Sequence, residues 1–165
     1  MTVQKLQPPA LDPMTIKPRI GSDYPPPHDQ PVKTRERRVL GDALGLNNFG
    51  VNLLRIPPGC ASSQRHWHSK QDEFVYVVSG EATLVTDGGE QILTAGMVAG
   101  FPAGTGDGHH LVNRSAKDVF VLEVGDRTAA DEVDYSDIDM TVRWVGDEER
   151  YLRKDGTPYP TRPEK

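Results

Sequence analysis

The run Arg65-His66-Trp67-His68-Ser69-Lys70-Gln71-Asp72-Glu73-Phe74-Val75-Tyr76-Val77-Val78-Ser79-Gly80 joins two histidines and a glutamate to a β-branched, apolar segment. In a strand, successive side chains point to opposite faces, so His66 and His68 share one face and Trp67 takes the other. At a rise of ~3.3 Å per residue their Cα atoms stand about 6.5–7 Å apart, close enough for both imidazoles to converge on one metal ion. Four polar residues, Ser69 to Asp72, return the chain to a second strand that opens with Glu73. Val75 and Val77 share the face of Glu73, with Phe74, Tyr76 and Val78 on the opposite one. Glu73 therefore brings an oxygen ligand from one strand end to a point that the histidines approach from another.

Outward from this run the same short β-rich pattern repeats. GVNLLRI, EFVYVV, EATLVT, MVAGFP, HHLVN and VFVLEV are split by the breakers PPG, SG, DGG and PAGTGDG. Short strands at such spacing, with no helical period, predict an all-β sandwich or barrel over residues 32–127. In HHLVN, His109, Leu111 and Asn113 share one face and His110 and Val112 the other. Only one of the adjacent histidines can point into a given interior.

The flanks differ from this middle. Residues 1–31 hold eight prolines and few bulky apolar residues, which predicts an extended arm draped over the domain or over a partner subunit. Residues 128–165 form a C-terminal extension. Its acidic run from Asp131 to Asp139 reads as a solvated face, and the alternation of Ile138, Met140, Val142 and Trp144 with polar residues reads as one more strand. The tail from Arg150 onward is polar and turn-rich and is expected to fray at its end.

Composition narrows the function. The chain has 165 residues and a formal charge of −5, without the concentrated basic face that nucleic-acid binding needs. The cluster Arg35, Arg37 and Arg38, interrupted by Glu36, reads as a solvated strand face. A single cysteine, Cys60, excludes an intramolecular disulfide and reads as a small buried filler. No segment reaches the ~20 apolar residues needed to span a bilayer, and the first residues lack a signal-peptide pattern, so a cytoplasmic protein with no membrane partner is expected. The loop GTGDG has the composition of a phosphate cradle, but it lacks the following Lys-Ser/Thr and a helix to open. No nucleophile triad is recognisable.

Two motifs resemble those of the cupin superfamily. The first runs Gly59, six residues, His66-Trp67-His68, four residues, Glu73, six residues, Gly80. The second runs Gly96, five residues, Pro102-Ala103-Gly104, four residues, His109, three residues, Asn113. The match departs from the commonest form by one extra residue before the first histidine and by a gap of four rather than two before the last. Strand parity with Asn113 and the spacing to it favour His109 over His110. The wording FPAGTGDGHH and DYSDIDM is similar to a group of single-domain bacterial cupins that carry sugar-phosphate-isomerase-like labels.

The resemblance implies a jelly-roll β-barrel holding one divalent transition metal (Mn, Fe, Co, Ni or Zn) through His66, His68, Glu73 and His109. Such a ligand set leaves open positions, as catalysis or ligand capture requires. The expected function is a metal-dependent enzyme on a small polar metabolite, of isomerase, lyase or dioxygenase type. The alternative is a non-catalytic sensor or binding module that captures a small molecule through the same metal. A homodimer is expected, with the arm or the strand around Ile138–Trp144 crossing to the second subunit. Asn113 is expected to make a structural hydrogen bond.

Overall fold

The computed structural model describes residues 6–146 and 148–160. In chain order its strands are β1 (Arg19–Ile20), β2 (Glu36–Val39), β3 (Phe49–Ile56), β4 (His66–His68), β5 (Glu73–Ser79), β6 (Glu81–Thr86) and β7 (Gly89–Thr94). Then follow β8 (Val98–Phe101), β9 (His110–Val112), β10 (Val119–Asp126), β11 (Val133–Tyr135), β12 (Thr141–Val145) and β13 (Glu148–Leu152). A single α-helical turn, Leu40–Ala43, links β2 to β3. Among the described residues no helix is long and apolar enough to cross a membrane.

All strand pairs are antiparallel, and they form a jelly roll from three sheets. The largest runs β1-β2-β3-β10-β5-β8, the second β13-β12-β11-β4, and the third β7-β6-β9. Two isolated bridges, His66 with His109 and Ala61 with Val112, carry the chain across the remaining seams. The strands read from the sequence are present. β1, β7, β11 and β13 are additions to that reading, and the strand read over Ile138–Trp144 begins at Thr141. The expected fraying of the tail falls on residues 161–165, which lie outside the described residues.

The inward residues divide the barrel into two ends. On β5, Val77 and Val75 are buried and Glu73 follows on the same face; on β10, Val119 and Val121 are buried and Glu123 follows. Leu54 and Ile56 of β3, Leu84 of β6, Leu93 of β7 and Leu111 of β9 complete an apolar plug at the first end. Each fully buried aliphatic side chain of this kind contributes about 1.5–3 kcal/mol. At the other end the inward positions turn polar on several strands at once, and the site forms there. A second cluster of Tyr24, Val32, Ala61, Tyr135 and Met140 packs the N-terminal segment and the C-terminal extension against β4.

Two residues of the sequence motifs secure the plugged end. Gly80 turns β5 into β6 at φ +86°, and a Cβ there would stand 2.7 Å from the Asp118 carbonyl oxygen. Asn113 is fully buried, and its Nδ2 donates to the carbonyls of Ile56 and Lys117, both at 2.7 Å. Its Oδ1 accepts from the Ser115 N–H and hydroxyl at 3.0 and 2.8 Å. Cys60 is buried in the apolar cluster.

Candidate metal centre

β4 has only three residues, but it is paired on both sides. β11 sets Tyr135 opposite His66 and Val133 opposite His68. On the other side, the His66 and His109 backbones exchange hydrogen bonds, N–H to O, of 3.2 and 2.8 Å. Residues directly opposite in an antiparallel pair share a face, so Tyr135, His66 and His109 form one row. Their rings confirm it: His66 lies 5.1 Å from His109 and 5.8 Å from Tyr135 between centroids.

Glu73 enters from the large sheet across the barrel. Its Oε2 lies 3.5 Å from Nε2 of His66, 3.5 Å from Nε2 of His68 and 2.9 Å from Nε2 of His109. One donor atom from each of His66, His68 and Glu73 lies within 4.8 Å of the other two, a spacing that could hold a metal ion. His109 joins this group through Glu73. His110 turns away, with Nδ1 3.0 Å from the Ser63 carbonyl.

The outer nitrogens decide how the rings face. His66 Nδ1 lies 2.9 Å from the Gln64 carbonyl oxygen, which can only accept, so Nδ1 carries the hydrogen. His68 Nδ1 lies 2.5 Å from Asp131 Oδ2, and the other Asp131 oxygen accepts from Lys70 N at 2.7 Å and Ser69 Oγ at 3.2 Å. So held, both rings turn Nε2 toward the Glu73 carboxylate oxygen. Imidazole nitrogens and a carboxylate oxygen converging on one point form a donor set that suits a divalent transition metal. His109 stacks on Phe101 with centroids 3.5 Å apart, and its Nδ1 is buried without a partner among the described residues.

Electrostatics follow from the same contacts. For Glu73, burial works against the charged form, but the hydrogen bonds from His109 and His66 prevail and hold its carboxyl well below the usual range. Burial likewise acts to lower the His66 pKa, and the neighbouring Glu73 overcomes it and raises the value. At His109 burial prevails over Glu73, and the pKa falls.

The cluster opens on a cavity of about 360 Å³, whose walls include Tyr24, Arg35, Arg37, Glu123, Tyr135 and Tyr151. That volume lies at the small end of the roughly 300–1,000 Å³ typical of small-molecule sites. Arg37 Nη2 lies 3.4 Å from Glu123 Oε2. Here the structure corrects the sequence reading of two segments. Arg35 and Arg38 are buried, and Arg35 and Arg37 line the cavity, so the arginine cluster is no solvated face. Asp131 and Tyr135 are also buried, so the acidic run is solvated only in part. Glu123 escaped notice too. Its signal was a glutamate at the inward parity of VFVLEV, where Val119 and Val121 fill the core.

The cupin domain profile matches residues 52–125. A sugar phosphate isomerase of the cupin superfamily from Silicibacter pomeroyi is 46% identical, covers 91% of this chain and 96% of its own, and superposes with a TM-score of 0.87. A protein from Acidithiobacillus ferrooxidans, provisionally described as a sugar phosphate isomerase, is 30% identical over 74% of this chain and 78% of its own, with a TM-score of 0.68. A predicted oxalate decarboxylase from Thermotoga maritima shares the fold at 20% identity, with a TM-score of 0.59 over 72% of this chain and 99% of its own. No curated protein matches the chain.

Proposed function

The chain belongs to the cupin superfamily, and on that premise we propose that it is a metal-dependent isomerase acting on a small sugar derivative. His66, His68, Glu73 and His109 would hold one divalent metal ion, Mn, Fe, Co, Ni or Zn. When bound, that ion supplies Lewis-acid polarisation of a substrate carbonyl. The observation that carries the reading is Glu123. It lines the same cavity as His66, His68 and Glu73, stands outside the convergent group of donors, and is held by Arg37.

An aldose–ketose interconversion needs a base that takes a proton from the carbon beside the carbonyl and returns it to the neighbouring carbon. Glu123 fills that role: its carboxylate accepts the C–H proton and releases it to the former carbonyl carbon, while the hydroxyl proton of the deprotonated carbon passes to the former carbonyl oxygen, so that the two sugars are isomers. Burial raises the pKa of Tyr24, and of Tyr135 strongly, so both hydroxyls keep their protons and can donate hydrogen bonds to substrate oxygens. A pure binding module would need no such carboxylate beyond its ligand shell. The two more similar solved structures carry sugar phosphate isomerase descriptions, which supports the same class.

The test has two stages. Elemental analysis of full-length protein is expected to give about one metal per chain, lost in a folded His68→Ala variant; full retention there overturns the site. Metal-loaded protein is then offered sugars and their phosphates in deuterated water. Expected is deuterium at the carbon beside the carbonyl, slowed about 10²–10⁴-fold by Glu123→Gln at unchanged metal content. Metal binding without turnover of any of these substrates would favour the binding module.

A further inference from the structure

Arg35 and Arg37 line the cavity together with Arg19 and the carboxylates of Asp23, Glu73, Glu123, Asp131 and Glu149. Arg35 immediately precedes β2 and Arg37 lies within it, and both reach into the cavity. Arg35 is only 5% exposed, and its hydrogen bonds go to backbone carbonyls, those of Gly21 (3.1 Å, from Nε) and Ser62 (from Nη1). Among the described residues no carboxylate stands within ion-pair distance of it. Arg37 meets one carboxylate, Glu123, loosely at 3.4 Å, and its own Nε is buried without a partner among the described residues. Of the cavity's carboxylates only Glu123 stands within ion-pair distance of either guanidinium among the described residues.

Burying a cation without an opposite charge is costly, and natural sites offset that cost with a counter-ion. A guanidinium presents a fork of donors matched to carboxylate or phosphate oxygens. We propose that Arg37, with Arg35 behind it, forms an oxyanion subsite that anchors the phosphate or carboxylate end of the substrate. The opposite end of that substrate lies at the His66–His68–Glu73 cluster. This inference rests on the isomerase reading for its direction, since the anchored group sets which carbon faces Glu123.

β2 lies three strands from β5 in the large sheet, about 14 Å at ~4.8 Å per strand, and the Arg37 side chain reaches back across β3 toward β10. Burial and the like charge of Arg37 both lower the Arg35 pKa, and an anion between them relieves both. Tyr24, from the N-terminal segment, stands beside Arg35 and completes the wall with a hydroxyl donor.

Calorimetric titration of full-length protein with inorganic phosphate and with malonate tests the subsite, run on metal-loaded and chelator-treated samples. Saturable binding of at least one anion is expected in both samples. Arg37→Met should weaken it tenfold or more, Arg37→Lys should weaken it less, and Glu123→Gln should tighten it several-fold by removing the competing carboxylate. Tighter phosphate than malonate assigns a phosphorylated substrate, and the reverse order assigns a carboxylic acid. Binding that vanishes with the metal, or that neither Arg37→Met nor Glu123→Gln alters, overturns the subsite. His68→Ala separates the two proposals. Retained metal in that variant sinks the metal site alone, whereas metal loss with intact phosphate binding leaves the subsite standing.

Discussion

At the scale of single residues, the side chains beside the histidines matter as much as the histidines. Asp131 is buried and accepts three hydrogen bonds, one of them from the His68 imidazole. Removing a partner that orients a metal-ligating histidine commonly weakens metal affinity 10–100-fold. Asp131→Asn is therefore expected to lower affinity by that factor with all four candidate ligands intact, read by competition with a chromophoric chelator. Unchanged affinity would mean that packing alone sets the His68 ring. Asn113 plays the corresponding part at the plugged end. Asn113→Ala strands the buried carbonyl of Ile56 and opens a void, and the expected loss is ~2–4 kcal/mol in urea unfolding. A loss below ~1 kcal/mol would show that solvent replaces its bonds. The identity of Asn113 was legible from the second motif, but that of Asp131 was not, because an aspartate in an acidic run looks like any other solvated charge.

At the scale of elements, Arg65 joins three that are remote in sequence. It sits just before β4, pairs with Asp137 in the β11–β12 connection and with Asp87 in the β6–β7 turn, and reaches the Gly108 carbonyl ahead of β9. The Arg65 guanidinium lowers the Asp137 pKa from the ordinary 3.8. A carboxyl whose folded pKa is depressed contributes stability above its unfolded pKa and loses it as pH falls through the folded one. Arg65→Met should therefore cost most near pH 7, and that part of its cost should fade as pH drops below about 3.8. Asp137 is more than half exposed, so solvent screening limits the pair to at most ~1 kcal/mol, or about 2–4 °C in Tm for a chain of this size. Thermal unfolding of both proteins from pH 7 to pH 3 checks this, and a difference in Tm that stays constant would assign the effect to packing of the arginine stem.

At the scale of the whole molecule, the outer face of the large sheet is apolar where it meets its edge. Phe74, Tyr76 and Val78 of β5 and Val98 of β8 are exposed there, and Tyr76 is paired with Val98. The segments first expected to cross to a second subunit have partners within the chain: Ile20 pairs with β2, and β12 lies between β11 and β13. An exposed edge strand beside apolar side chains invites a second copy. The expected state is a dimer through this face, which the double variant Tyr76→Glu, Val98→Glu converts to monomer in light scattering. A wild-type monomer at micromolar concentration would remove the expectation.

By itself the sequence determined the fold class and the row of candidate ligands. Strand parity and turn spacing are local properties, so His66, His68 and Glu73 could be placed on inward faces from their neighbours alone. Only the tertiary structure decided what else shares their cavity. Glu123, Arg35, Arg37, Asp131 and Tyr135 come from segments up to about a hundred residues apart, and only Glu123, at the inward parity of its strand, carried a local signal. Parity tells which face a side chain takes, but not which strand lies next to it. Sheet order and the seam between β4 and His109 set those neighbours, and they follow from packing of the whole barrel.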